Sequence, residues 1–565
     1  MAPFTVGDYL AERLAQIGVR HHFIVPGDYN LILLDKLEAH PALTEVGCTN
    51  ELNCSLAAEG YARANGVGAC VVTYSVGAFS AFNGVGSAYA ENLPLILVSG
   101  APNTNDVGQR LLHHTLGDYD FTYQLEMAKK ITCCAVAIRG AVHAPELIDQ
   151  AIRLALLKRK PAYIEIPTNL SGEACARPGP ISALVKPPPS DEPALDAAVA
   201  RAAGFLNTKQ KLVILVGPKV RRAGAEQALL RLVEAIGCAV VLQPAAKGSF
   251  PEGHAQFAGI FWGQVSTLAA DVIVNWADVL ICAGTAFTDY STVGWTALPS
   301  VPQLVVDIES VTLTDPSAYF SHVRLCDFLS RLAEAASWKD GTMVEYNRLR
   351  LEPALGHPSR GQDTLTRKEV ARQTQLLLTP ETTVFAETGD SWFNGIQLCL
   401  PAGAEFEIEM QWGHIGWTIP ASFGYALAKP ERRTIVMVGD GAFQMTVQEV
   451  SQMVRCRVPI IMLLMNNRGY TIEVEIHDGL YNRLQNWNYG LLVRAFNSNE
   501  GGGRALGLEA HTAEQFSEAL DRAMAHKDGP TLIECNIHQD DCSRELITWG
   551  HFVAAANARA PAKVK

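Results

Sequence analysis

Two rhythms of apolar residues run through the chain. Short continuous apolar runs, bounded by glycine, serine or proline, alternate with longer stretches in which apolar positions return every three or four residues. The opening stretch reads as a helix: Thr5 and Asp8 have capping-box spacing, Val6, Leu10, Leu14 and Ile17 share one face, and Gly18 supplies the stop. Strands are expected at 22–25, which ends in Pro26-Gly27-Asp28, and at 45–47, 70–73 and 95–98. Further on, the runs 212–216, 239–242, 279–282 and 304–306 form a second group, and 382–386, 435–438 and 460–465 a third. Continuous apolar runs of this length suit strands buried on both faces, and helical stretches at about 50–64 and 444–454 lie between them. The alternation predicts an α/β protein built of doubly wound parallel sheets.

Punctuation divides these groups. Residues 176–193 are proline-rich, with Pro187-Pro188-Pro189 at their centre, and should run as an extended connector. Pro353, Gly356, Pro358 and Gly361 mark a second break between 352 and 363. At 565 residues the chain exceeds a single core, so three domains are expected, at 1–186, 187–355 and 356–565, the first and third sharing a fold. Composition is that of a compact α/β enzyme, with 48% hydrophobic and 18% charged residues. The formal charge of −12, without any basic block, argues against nucleic acid or an anionic membrane as partner. Thirteen cysteines, an odd number with no C-x-x-C pair, are expected to be reduced thiols, and with no signal-like leader or membrane-length apolar run the expected location is the cytoplasm.

Two marks carry candidate chemistry. Gly439-Asp440-Gly441 and Asn466-Asn467 are separated by 24 residues, and each ends an apolar run. A right-handed βαβ crossover makes the two strands parallel and brings both marks to the carboxyl edge of one sheet, where open α/β sheets hold ligands. An Asp carboxylate and an Asn amide oxygen are hard donors suited to Mg²⁺, and the glycines let backbone amides approach phosphate. Alone, Gly-Asp-Gly is an ordinary turn. A dinucleotide fingerprint is disfavoured, because Gln444 stands where that motif needs glycine or alanine.

The stretch 439–467 resembles the cofactor motif of thiamine diphosphate-dependent enzymes, and its continuation Asn466-Asn467-Arg468-Gly469-Tyr470-Thr471-Ile472-Glu473 resembles that of the pyruvate decarboxylases. The likeness extends over nearly the whole chain, through Val25-Pro26-Gly27-Asp28, Asn50-Glu51-Leu52-Asn53, His113-His114-Thr115-Leu116-Gly117 and residues 386–394. It implies non-oxidative decarboxylation of pyruvate to acetaldehyde and carbon dioxide, with thiamine diphosphate and Mg²⁺ as cofactors.

By that resemblance Asp440, Asn467 and the Gly469 carbonyl ligate the metal, while Thr388, Asp390, Gly441, Ala442 and Tyr470 contact the cofactor. Ile415 bends it, the Gly413 carbonyl accepts from its amine, and Glu51 shares a proton with its pyrimidine ring. Asp28, His113, His114 and Glu473 serve the substrate side, and Trp392, Ile472 and Ile476 wall a pocket for a methyl group. In isolation a first-turn glutamate such as Glu51 is a helix-dipole partner, a His-His pair is a surface feature, and a tryptophan is core. The resemblance also implies a site shared between chains, hence at least a dimer, with a tetramer expected. Two neighbouring activities stay open: decarboxylation of larger 2-keto acids such as indolepyruvate, and carboligation like that of the acetohydroxyacid synthases. A non-catalytic cofactor-binding paralogue is a third reading, which the presence of Glu51 and the metal ligands counts against.

Overall fold

In the computed structural model, which describes residues 3–110, 112–351, 356–497 and 503–561, the apolar runs become strands and the longer periodicities become helices. Thr5 and Asp8 close a capping box on the helix Val6–Gln16, satisfying two amides that no helical carbonyl can reach. Its face Val6, Leu10 and Leu14 is fully buried.

The first sheet holds β1 (His21–Ile24), β2 (Thr44–Gly47), β3 (Gly68–Val72), β4 (Leu95–Ala101), β5 (Cys134–Ala137) and β6 (Ala162–Pro167). Their order is β2-β1-β3-β4-β6-β5, and every pairing is parallel. The middle sheet holds β7 (Leu212–Val216), β8 (Ala239–Leu242), β9 (Phe257–Ile260), β10 (Val279–Ala283), β11 (Gln303–Asp307), β12 (Ser310–Thr314) and β13 (Ser317–Ser321), in the order β13-β12-β11-β10-β7-β8-β9. The third holds β14 (Thr382–Ala386), β15 (Glu405–Ile408), β16 (Arg433–Gly439), β17 (Ile461–Asn466), β18 (Leu506–Ala510) and β19 (Thr531–Asn536), in the order β15-β14-β16-β17-β19-β18. All its pairings are parallel, so the first and third sheets share one topology.

Two sequence expectations need amendment. The middle sheet is mixed, because β12 and β13 add an antiparallel hairpin at its edge. Their alternating exposure belongs to strands wet on one face, which a search for continuous apolar runs passes over. The proline-rich connector is not extended throughout: it contains a helical turn, Ser182–Val185, and Pro193 lies in the first turn of the helix Glu192–Asn207, where its missing N–H is no loss. Residues 352–355, on which part of the second expected break falls, lie outside the described residues.

The first and third sheets are joined through their helices. Glu51–Asn65 crosses Thr418–Ala428 so closely that a Cβ on Gly60 would lie 1.9 Å from the Ala421 carbonyl oxygen, and one on Gly424 1.8 Å from that of Ala57. A buried charge network locks the same seam. Arg63 reaches Glu59 at 2.7 Å and Glu407 at 3.1 Å, and Arg221 of the middle domain reaches Glu407 at 2.8 Å. Against the cost of burial, these three guanidiniums, Arg221, Arg222 and Arg63, hold the Glu407 carboxyl down at about 2. Among the described residues all thirteen cysteines are free, and no helix is long and apolar enough to cross a membrane.

His22 in β1 is fully buried, and neither ring nitrogen has a hydrogen-bond partner among the described residues. Burial, with His21 beside it, pushes its pKa from the usual 6.5 down to about 4. The unfolded chain therefore takes up a proton that the folded one refuses, and stability falls as pH drops from about 6.5 to about 4, by about 3 kcal/mol in total. His22→Leu should flatten this part of the stability curve, measured by denaturant unfolding between pH 4 and 7.

Candidate active site

The strands β16 and β17 are parallel neighbours, with Gly439 opposite Met465, so Asp440 and Asn467 leave the sheet side by side. The crossover helix begins at Asp440 itself and is interrupted by a 3₁₀ turn at Val447–Glu449, earlier and less regular than the expected 444–454. Around these ends lies a cleft of about 540 Å³, open to solvent. Thr388, Asp390, Ile415, Asp440, Gly441, Ala442, Asn467, Gly469, Tyr470 and Ile472 line it. Gly441 is required at its place, since a Cβ there would lie 2.5 Å from the Tyr470 ring.

Asp440 is fully buried. Its Oδ1 accepts from the Gly441 amide at 2.8 Å, while its Oδ2 has no partner. Burial pushes its carboxyl up to about 6, against the lowering effect of the Gly441, Arg468 and Gly469 amides. One end of the Asn467 amide lies 3.1 Å from Asp440 Oδ1 and 3.1 Å from the Gly469 carbonyl oxygen, and the other meets the Thr471 hydroxyl. Without a cation the amide satisfies both oxygens by turning its nitrogen to them. With its oxygen there, three oxygens converge, an arrangement that only a cation stabilises. The donor set is all oxygen, and the orphaned Oδ2 of Asp440 adds a further lone pair, so a hard divalent ion such as Mg²⁺ fits.

Next to the lining residues Thr388 and Asp390 lies Glu387, to which the sequence reading gave no role. It is fully buried, and its Oε1 accepts from the Thr388 amide at 2.9 Å. Its Oε2 accepts from the Thr418 amide at 3.0 Å and hydroxyl at 2.6 Å. The segment carrying Thr388 and Asp390 is thereby tied to the loop carrying Gly413 and Ile415. The Thr388 hydroxyl is itself buried and unpartnered. Asp390 is held by the Ser543 hydroxyl and by Asn394 at 3.0 Å, with Arg367 3.9 Å away. Burial pushes its carboxyl up despite these partners.

The loop leading to Ile415 is anchored from behind by buried acids. Glu409 accepts from the His414 amide at 2.6 Å and from Ser87 at 2.7 Å, and Glu91 accepts from the Gln411 amide at 2.9 Å. Gly413 has φ +72°, a left-handed turn suited to glycine, and it does not line the cleft.

A second cluster forms at the edge of the first sheet. His113 Nε2 lies 2.6 Å from Asp28 Oδ2, and His114 Nε2 lies 3.2 Å from Asp28 Oδ1. Neither this cluster nor Glu51 lines the cleft that contains Asp440. Asn50 caps the helix Glu51–Asn65, leaving Glu51 half-buried in its first turn near Gly77, whose Cβ would lie 3.0 Å from the Glu51 carboxylate. Glu473 is half-buried on the short helix Thr471–Ile476, Ile476 packs at the edge of the core, and Trp392 is fully buried behind the cleft, edge-on to Tyr290 at 6.3 Å.

Comparison with known proteins bears on the same segments. Residues 4–123 match the thiamine pyrophosphate enzyme N-terminal TPP binding domain, 199–321 the central domain, and 387–535 the C-terminal TPP binding domain. A pyruvate decarboxylase of Neurospora crassa is 67% identical over 99% of this chain and 97% of its own length. A probable pyruvate decarboxylase of Schizosaccharomyces pombe is 58% identical over 99% and 98%, and pyruvate decarboxylase 2 of Arabidopsis thaliana 44% over 99% and 92%.

Glu387→Ala leaves the Thr388 and Thr418 donors unpaired in the interior and should cost about 2–5 kcal/mol of stability in denaturant unfolding of the cofactor-free chain. Glu387→Gln, which keeps one acceptor oxygen, should cost less.

Proposed function

The chain belongs to the thiamine pyrophosphate enzymes, in the branch of the pyruvate decarboxylases, and from that membership we propose that it cleaves pyruvate to acetaldehyde and carbon dioxide with thiamine diphosphate and Mg²⁺. The observation that carries the reading is the buried Asp440, one oxygen unpartnered, beside Asn467 and the Gly469 carbonyl in an open cleft. When bound, the cofactor supplies the electron sink that accepts the pair left behind by departing carbon dioxide.

The protein's own groups bind, orient and move protons. Asp440, Asn467 and the Gly469 carbonyl would hold Mg²⁺, with Gly441, Ala442, Tyr470, Thr388 and Asp390 around the diphosphate and pyrimidine. Ile415 would wedge the cofactor, and the Gly413 carbonyl would accept from its amine. Glu51 would keep a proton against the pyrimidine nitrogen. Asp28, His113, His114 and Glu473 would pass the proton that the product carbon needs, with both imidazoles already in contact with the Asp28 carboxylate. Trp392, Ile472 and Ile476 would limit the substrate to a small acyl group.

One chain does not bring Glu51 or the Asp28 cluster to the Asp440 cleft. A second copy would supply them, so we take the working unit to be a homodimer at least, with a tetramer expected, located in the cytoplasm. The domain limits we adopt are 1–186, 187–355 and 356–565.

Incubation with Mg²⁺, thiamine diphosphate and pyruvate should yield free acetaldehyde as the main product; abundant acetolactate or acetoin with little aldehyde would replace this reading with carboligation. Glu51→Gln should lower turnover by at least about a hundredfold while leaving the unfolding curve in place. Trp392→Ala empties a fully buried position at a cost of about 3–5 kcal/mol, and below its melting temperature it should raise phenylglyoxylate turnover relative to pyruvate. An unchanged ratio would leave the indole as core alone.

A further inference from the structure

Asp28, His113 and His114 are the one group among the described residues in which at least three His, Cys, Asp or Glu side chains bring ligand atoms within 4.8 Å of one another. Two features of the chain build it. His114 has φ +55°, a left-handed backbone that turns its ring to the same carboxylate as its neighbour, when consecutive extended residues would point apart. The Tyr29 ring stacks on His113 at 5.2 Å, and the two imidazoles lie 4.7 Å apart, so both are held in place before any ligand arrives. Asp28 and His113 are exposed and His114 is half-buried, and no cation from Lys or Arg pairs with Asp28 among the described residues.

Two imidazoles and a carboxylate on one face are a borderline-soft donor set, which favours Zn²⁺, Cu²⁺ or Ni²⁺ over Mg²⁺. We infer that this triad is a second, inhibitory metal site that captures a borderline transition metal such as Zn²⁺ independently of the oxygen site at Asp440. The separations of 2.6 and 3.2 Å already place the imidazole nitrogens beside the carboxylate oxygens, and a slight opening admits an ion with bonds of about 2.0–2.2 Å. Ligation uses the lone pair of each neutral imidazole, which an imidazolium lacks. The inhibitory consequence rests on the proton-passing role proposed above for the same three groups; the binding itself does not.

The test is calorimetric titration of Zn²⁺ into the full-length protein loaded with Mg²⁺ and thiamine diphosphate, with bound Mg²⁺ measured in parallel. The parent should take up one Zn²⁺ per chain without losing Mg²⁺. His113→Ala and His114→Ala should bind it at least about tenfold more weakly. His114→Cys, which restores a ligand, should keep it, and His511→Ala, at a remote exposed pair, should match the parent. Acetaldehyde output measured with and without Zn²⁺ reads inhibition separately, so a protein inactive on pyruvate that still binds Zn²⁺ through the triad would overturn only the function. Equal uptake by the parent and both alanine variants, or uptake only with release of Mg²⁺, would overturn the site.

Discussion

A buried carboxylate with one oxygen left unpartnered is the constraint around which the third domain is arranged. Removing Asp440 from water costs free energy, and the backbone amides around it offset only part of that, as the carboxyl's rise to about 6 records. Folding alone gives no reason to keep such a group, since an uncharged residue at the start of this helix would cost less. The neighbouring Asn467 and Gly469 oxygens give a reason, because a divalent ion turns mutual repulsion of acceptors into coordination.

The Asp440 cleft keeps its shape only if the surrounding segments hold still, and the holding is done at the seam between domains. Gly60 and Gly424 let two helices cross at backbone contact, which fixes the first domain against the third with little freedom to slide. The acids behind the cleft then tie loops to that frame. Glu59 accepts from Trp417 at 2.9 Å while pairing with Arg63, and Glu409 and Glu91 receive the amides of the segment that leads to Ile415. A buried network of this kind is weak evidence for stability, but it allows few alternative arrangements, since breaking any member leaves a charge unpaired in the interior.

Legibility in the sequence followed unbroken apolar runs, so the buried β6 and β19, each interrupted by a glutamate, were not read. Strands such as β7, β14 and β17, covered on both faces, appear as unbroken apolar runs and could be read directly. The hairpin β12 and β13 alternates polar and apolar residues and escaped, and the short β9 escaped too, interrupted by Gly259 at φ +102° and a register shift against β8. In the cleft, Asp440 and Asn467 were readable because a single crossover relates them. The partners of Asp390 were not, for Ser543 lies 153 residues further along and arrives by the return of the final helix. Nor could spacing reveal that Arg63 would meet Glu407, 344 residues away, because that pairing is a property of how the domains dock.

The first and third sheets show how far topology goes before chemistry takes over. Their strand orders coincide, and both present a carboxyl edge where loops can gather ligands. Yet one edge carries Asp28 with two imidazoles, and the other carries an all-oxygen donor set at Asp440, Asn467 and Gly469. The difference lies wholly in a few residues after the strands, which leave the sheet cores unchanged. Two copies of one sheet thus let a single chain carry two unlike donor sets, one of nitrogen and oxygen and one of oxygen alone.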